Sequence, residues 1–139
     1  MVSVKMKRIF LLVTIITLVV GLTACSGTTQ KGLLQGKVNI GPISPVDQPG
    51  IATPIPCDVY NARKIMIYDK TGSNLIQQVD IECNAEENYA RYRIELKPGT
   101  YTVDINHLGI DSSKDVPKQV EIKAGITTRL DIDIDTGIR

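Results

Sequence analysis

Residues 90–105 read ARYRIELKPGTYTVDI, and this stretch decides the fold. From Ala90 to Leu96 apolar and charged residues alternate, which is the two-residue period of a half-buried strand. In the turn at 97–100, Pro98 presets φ and Gly99 accepts the positive φ of a type II turn. The chain then alternates again from Tyr101 to His107. The stretch therefore predicts an antiparallel hairpin with one apolar face.

The same period recurs outward in both directions from this hairpin. Five further short strands are predicted, at 36–40, 64–68, 75–81, 119–123 and 130–135, and residues 84–88 read as a single helical turn. Each strand has one apolar face, and such faces exclude water best when two sheets pack together. The sequence thus predicts an all-β chain, a seven-stranded antiparallel two-sheet sandwich.

Two cysteines, Cys57 and Cys83, are predicted to form a disulfide. Cys57 ends a proline-rich loop at 42–58. If Asp69 pairs with Leu75 in the second hairpin, the numbers of facing residues sum to 144 and Cys83 lies near 60–61. Cys57 is then within reach of the 4.4–6.8 Å Cα separation that a disulfide needs. The alternative is two separate thiols.

The N-terminal segment has the layout of an export signal. Basic residues between Lys5 and Arg8 precede an apolar run at 9–21, which is shorter than the ~20 residues of a membrane span. The following Leu-Thr-Ala-Cys at 22–25 resembles the bacterial lipobox, in which the cysteine is lipidated. The alternative is an ordinary cleavage site with an incidental cysteine, and either Met1 or Met6 is the start.

This resemblance divides the chain into three parts: a signal peptide at 1–24, the lipidated Cys25 with a flexible tether at 25–32, and the sandwich at 33–139. It implies an extracytoplasmic protein held by lipid on Cys25 to the cell membrane or the outer membrane. Ser26 is compatible with the outer membrane, since aspartate at this position resembles a retention signal in Gram-negative cells.

The turn at 96–103 resembles the L-x-P-G-x-Y-x-V turn of transthyretin-like sandwiches. These include the carboxypeptidase regulatory-like and collagen-adhesin B-type domains. The closing segment fits the same pattern, with Val120 and Ile122, then Ala124-Gly125, then a last strand at 126–135. Gly41-Pro42, the loop at 54–57 and the tail at 136–139 resemble an uncharacterised subgroup of small exported proteins. The resemblance implies a fold and no particular function.

Composition excludes several classes of function. The chain has 139 residues with 16 basic and 15 acidic side chains, and three of the basic ones lie in the predicted signal. The remainder carries a net charge of −2 with no basic stripe, so we expect no nucleic-acid partner. Five tyrosines are its only aromatic residues. No cofactor is expected.

Asp131, Asp133 and Asp135 share one face of the last predicted strand. Carboxylates of this kind bind calcium, but same-face neighbours lie roughly 7 Å apart. The favoured interpretation is a solvated face balanced by Lys118 and Lys123 on the adjoining strand, with no metal site.

Two family activities are considered and set aside. Collagen-adhesin B-type domains often carry a Lys–Asn isopeptide bond that a nearby acid catalyses, and Lys37 and Glu95 are the candidates for the lysine and the acid here. However, Lys37 is predicted to point outward, and the last strand offers aspartate instead of asparagine. A purine-breakdown hydrolase of transthyretin fold needs several histidines, whereas His107 is alone here. We therefore predict that the protein is not an enzyme.

The predicted function is a non-catalytic, lipid-anchored cell-envelope module. Its partners would be the membrane, through Cys25, and an unknown envelope protein or glycan, bound through the loop at 42–58 or within a surface assembly. The alternative is a small-ligand or calcium-binding carrier domain.

Overall fold

The computed structural model describes residues 27, 29–44, 54–86 and 89–138. Within these ranges it contains nine strands and one short helix. The helix α1 spans Cys57–Asn61, and the strands are β1 (Gly32–Gly41), β2 (Lys64–Tyr68), β3 (Leu75–Asp80), β4 (Glu82–Asn84), β5 (Tyr89–Leu96), β6 (Gly99–Ile105), β7 (Lys118–Ile122), β8 (Thr127–Arg129) and β9 (Ile132–Asp135). The all-β prediction is confirmed for the described residues.

The strands form two sheets that enclose one hydrophobic core. The four-stranded sheet has the order β3-β2-β6-β7. The five-stranded sheet has the order β4-β5-β1-β8, and β9 also pairs with β1. Alternate residues on β1 and β5 are buried and their neighbours face outward, as the two-residue period predicts. The two-sheet sandwich is confirmed, and its sheets and core lie between Gly32 and Asp135.

The described residues hold two more strands than the seven predicted. One is β4, which pairs with β5 where part of a helical turn was expected; a turn follows at 85–86. The other is β8, which precedes the alternation at 130–135; β8 and β9 together occupy the last strand of the resemblance, at 126–135. Both segments keep one register on β1, with Gln35 facing Arg129 and Val38 facing Ile132.

The division between β8 and β9 is caused by the carbonyl group of Leu130. In a continuous parallel ladder this oxygen would accept from the Lys37 amide. Instead it accepts a hydrogen bond of 2.7 Å from the buried Tyr92 hydroxyl, and the Lys37 amide donates to Asp131 Oδ1 at 2.8 Å. Gly36 leaves the space for this carbonyl, because a Cβ there would lie 1.7 Å from the oxygen.

The prediction of a wholly antiparallel sandwich is wrong. Strand β1 pairs antiparallel with β5 but parallel with both β8 and β9. Tight turns impose antiparallel pairing only on strands that follow each other directly. Since most of the chain separates β1 from β8, no turn fixes their relative direction.

Several element boundaries also differ from expectation. Strand β1 begins at Gly32, and β6 ends at Ile105, so His107 lies beyond the strand. Leu75, the first residue of β3, is 45% exposed, and β3 is one of the two edge strands of its sheet. Gly99 has φ of +157°, away from the ~+80° of a type II turn.

The predicted loop at 42–58 is described only at its ends. Residues 42–44 and 54–56 are irregular, and Cys57 and Asp58 belong to α1 instead of the loop. The part at 45–53 lies outside the described residues.

Candidate functional site

The predicted signal peptide and the lipidation site at Cys25 lie outside the described residues. In the part of the chain that the structure describes, no helix has the length and apolar character needed to span a bilayer. Lipid anchoring remains a prediction.

Cys57 and Cys83 are joined, as predicted. Their Cα atoms are 5.5 Å apart and the sulfur atoms are bonded. Cys57 opens α1, which leads directly into β2, whereas Cys83 sits on β4 at the edge of the other sheet. The disulfide therefore ties the two sheets together at one end of the sandwich.

The three aspartates at the C-terminal end are each hydrogen-bonded to neighbouring groups. Each carboxylate accepts hydrogen bonds from the protein itself. Asp131 accepts from the Lys37 amide and from Arg129 Nε, Asp133 from Asn39 Nδ2 at 2.7 Å, and Asp135 from the Gly137 amide at 2.8 Å. Among the described residues, no group of three or more His, Cys, Asp or Glu side chains is arranged to hold a metal.

The charge balance of this face differs from the prediction. Lys118 lies on β7 and Lys123 directly after it, in the other sheet, so neither adjoins β9. The neighbour of β9 is β1. The Lys37 amide and the Arg129 side chain lower the pKa of Asp131 instead, with the amide hydrogen bond as the larger cause.

His107 is a half-exposed residue held by local contacts. Its Nδ1 lies 3.1 Å from the Asp111 carbonyl oxygen and its Nε2 lies 3.1 Å from Asp104 Oδ1. The contact with the Asp111 carbonyl, together with the Asp104 carboxylate, raises the pKa of His107. Both contacts lie within the segment at 104–111 and hold the imidazole in place.

A buried ion pair beside His107 was missed by the sequence analysis. The Asp111 side chain, 4% exposed, accepts from Arg63 Nε at 2.7 Å and from Nη2 at 3.1 Å. Arg63 Nη1 also donates to the Val59 carbonyl in α1. The pair fastens the loop after β6 to the link between α1 and β2. Its members are 48 residues apart, and no local pattern relates them.

The residues considered for an isopeptide bond are not together. Lys37 faces Arg91 across the β1–β5 ladder, while Glu95 faces Leu33 two rows away. Both side chains are exposed on the outer face of the five-stranded sheet. This agrees with the outward orientation predicted for Lys37.

The outer face of the five-stranded sheet contains a depression of about 400 Å³, which we call the arginine depression. It is lined by Gln35 and Lys37 of β1, Arg91 and Arg93 of β5, Arg129 of β8 and Glu82 of β4, together with backbone between them. Three of the six arginines in the chain meet here.

Strand register positions these side chains. Gln35 faces Arg93 on one side and Arg129 on the other, and in the next row Lys37 faces Arg91. Arg91 also lies over the Tyr89 ring, with its guanidinium carbon 4.8 Å from the ring centre. The sheet thus gathers four cationic groups from three strands on one rigid surface.

Sequence analysis missed the arginine depression because its members are spread from residue 35 to residue 129. A basic stripe needs several cations close together in the sequence, and Arg91 and Arg93 alone do not make one. The sequence did carry one signal for this site. Arg91 and Arg93 are two residues apart on β5, which places both side chains on the outward face of that strand.

Comparisons with known proteins give little further information. No family model matches the chain, and no curated protein matches it. Among solved structures, the crystal structure of GBS52, the minor pilin in the gram-positive pathogen Streptococcus agalactiae, is similar to 76% of this chain at 14% identity and a TM-score of 0.47. The chain covers 44% of that pilin chain, less than half of its length. A similarity this low supports no conclusion about fold type or function.

Proposed function

We propose that this protein is a lipid-anchored, extracytoplasmic module that binds a component of the cell envelope and performs no catalysis. A transthyretin-like sandwich is the proposed fold type, resting on the turn at 96–103. The bound component is an envelope protein or glycan, held directly or as part of a surface assembly.

The single observation that carries this proposal is the Cys57–Cys83 disulfide. Structural disulfides persist in oxidising, extracytoplasmic compartments and are rare in the cytosol. The disulfide therefore supports the same location as the export signal predicted at 1–24, and the two features are independent of each other. A binding role is favoured because the aspartates and His107 hold the fold through hydrogen bonds, while the arginine depression presents charge to the outside.

Fatty-acid labelling tests the anchor. Cells that produce the full chain are given a clickable fatty acid, and label is expected on the wild type but not on Cys25→Ser. The matched control is Cys57→Ser, which removes a different cysteine and is expected to keep the label. Label on Cys25→Ser, or none on the wild type, would refute lipid anchoring. Digestion by protease added outside intact cells or spheroplasts tests the location.

One observation favours the alternative of a small-ligand carrier. The arginine depression, at about 400 Å³, lies within the ~300–1,000 Å³ range of small-molecule sites. The calcium version of this alternative has no such support, since each of the three aspartates accepts a hydrogen bond from a neighbouring group.

A further inference from the structure

We propose that the arginine depression is a binding site for a phosphate group, carried as a monoester or a diester on a larger molecule. The inference deepens the proposed function by naming the chemistry that the module recognises. The phosphate would lie over Gln35, between Arg93 and Arg129.

The register sets the spacing of the two arginines that would hold the phosphate. Arg93 and Arg129 are the neighbours of Gln35 on either side. Strands in a sheet are about 4.8 Å apart, so the two Cα atoms are separated by roughly 10 Å. Arginine side chains are long enough to converge from that distance on one group above the middle strand. Lys37 and Arg91 add positive charge in the adjacent row.

These guanidinium groups have donors to spare. Arg129 contacts Asp131 through Nε at 3.1 Å, and Arg91 contacts Glu82 through Nε at 3.3 Å. A guanidinium carries five N–H donors, four of them on the two Nη atoms. Within the described residues, the Arg93 side chain makes no ion pair or hydrogen bond. The existing contacts orient two of the arginines and leave their outer edges open.

The number of cations favours phosphate over carboxylate. A carboxylate has two oxygens, and one guanidinium can satisfy both through two parallel hydrogen bonds. A phosphate ester has up to three terminal oxygens and up to two negative charges, so it can engage several guanidinium groups at once. Around the depression four cations adjoin two carboxylates, Glu82 and Asp131, while Glu95 and Asp133 lie one row further on either side. The volume also exceeds what a phosphate alone would fill, which leaves room for its ester group.

A binding experiment on the soluble chain tests this site. The protein is residues 25–139 with Cys25→Ser, and the probe is glycerol 3-phosphate, followed by amide chemical shifts. Saturable shifts are expected at Gln35, Arg93 and Arg129. Arg93→Gln is expected to weaken binding roughly tenfold, the loss of one hydrogen-bonded charge. The matched control is Lys118→Gln, an exposed cation of the other sheet, which is expected to bind as the wild type does.

Two further arms separate the sources of the phosphate and the type of anion. Phosphatidylglycerol vesicles present a glycerol phosphate as a diester in a lipid surface, so binding to them alone, abolished by Arg93→Gln, identifies a lipid headgroup as the ligand. Succinate matches the charge of the monoester without phosphate. Equal binding of succinate, no binding of either phosphate source, or equal effects of Arg93→Gln and Lys118→Gln would overturn the proposal. An unchanged urea midpoint confirms that Arg93→Gln is folded.

Failure of this proposal is distinguishable from failure of the proposed function. The binding assay uses a chain without the lipidation cysteine, so it is independent of anchoring. Absence of fatty-acid label from the wild type would refute the anchor and leave phosphate binding untouched. Absence of phosphate binding would overturn this proposal and leave the anchor untouched.

Discussion

The Asp131 carboxylate takes the place of a main-chain acceptor. Because the Leu130 carbonyl turns inward to the Tyr92 hydroxyl, the Lys37 amide would lose its partner in the ladder, and Asp131 supplies one. Burial is the main cause that raises the pKa of Tyr92, so this hydroxyl stays protonated and donates across the physiological range. The Tyr92 hydroxyl and the Asp131 carboxylate thus satisfy the two backbone groups that are not paired with each other at this point of the sheet.

Replacing Asp131 by Ala is expected to destabilise the fold by about 1 kcal/mol, the net worth of one hydrogen bond that water can partly replace. Asp133→Ala is the matched control on the same strand, since its carboxylate accepts from the Asn39 side chain and removing it leaves no ladder amide without a partner. Urea unfolding at pH 7 measures both. A larger loss for Asp133→Ala would contradict this role of Asp131.

The contribution of Asp131 should depend on pH. Its folded-state pKa lies below the ordinary value of about 3.9. A depressed folded pKa stabilises the protein above the unfolded value, and that stabilisation is lost as pH falls through the folded value. The difference in unfolding free energy between wild type and Asp131→Asn is therefore expected to be constant above about pH 5 and to shrink below pH 4. A difference that grows on acidification would contradict the assignment.

At the scale of elements, β1 organises the five-stranded sheet. It pairs with β5 on one edge and with β8 and β9 on the other. Gly36 is a point of close approach on β1, since a Cβ would meet the Leu130 oxygen at 1.7 Å and Tyr92 Cε1 at 3.0 Å. No side chain fits there without moving the backbone of the β8–β9 junction.

Gly36→Ala is expected to cost about 3 kcal/mol or more, the upper end for overpacking. Gly41→Ala is the matched control on the same strand, because nothing lies within 4 Å of a Cβ at that position. It is expected to change stability by less than about 1 kcal/mol. Thermal or urea unfolding compares the two, and equal effects would show that close approach to Leu130 is not what requires glycine.

The two-residue period of the sequence predicted the positions of the strands better than it predicted which strands pair. The β2–β3 register matches the predicted sum of 144 from Lys64 facing Asp80 to Ile67 facing Gln77, but Tyr68 faces Leu75 where Asp69 was expected to. It shifts at Ile67/Tyr68, where the ladder is irregular. The sequence did not predict that β1 pairs parallel with β8 and β9, or that Arg93 and Arg129 lie on either side of Gln35. Both depend on which distant strands pair, and a two-residue period carries no information about that.

At the scale of the whole molecule, the disulfide joins the two sheets at one end and the core joins them throughout. The sequence separation of 26 residues closes a loop containing β2 and β3. Because Cys57 leads into the four-stranded sheet and Cys83 belongs to the five-stranded sheet, the bond restrains their separation in addition to shortening the unfolded chain.

Removing the disulfide by Cys57→Ala together with Cys83→Ala is expected to lower the free energy of unfolding by roughly 3–4 kcal/mol, the chain-entropy value for a loop of this length. Reduction of the wild type should give the same loss and should not affect the double variant. Urea unfolding with and without reductant makes the measurement. Two alkylated thiols at these positions in unreduced protein would disprove the bond.

Parallel pairing of β1 with β9 determines how the domain would respond to mechanical tension. The start of β1 and the end of β9 lie at opposite ends of the shared ladder, which runs from Leu33 facing Thr127 to Gly41 facing Asp135. A pull on the N-terminal side against a load on the C-terminal side would slide the two strands past each other. Their hydrogen bonds would then bear the force together instead of opening one after another. A chain fixed at one end to a membrane would gain from such a clamp.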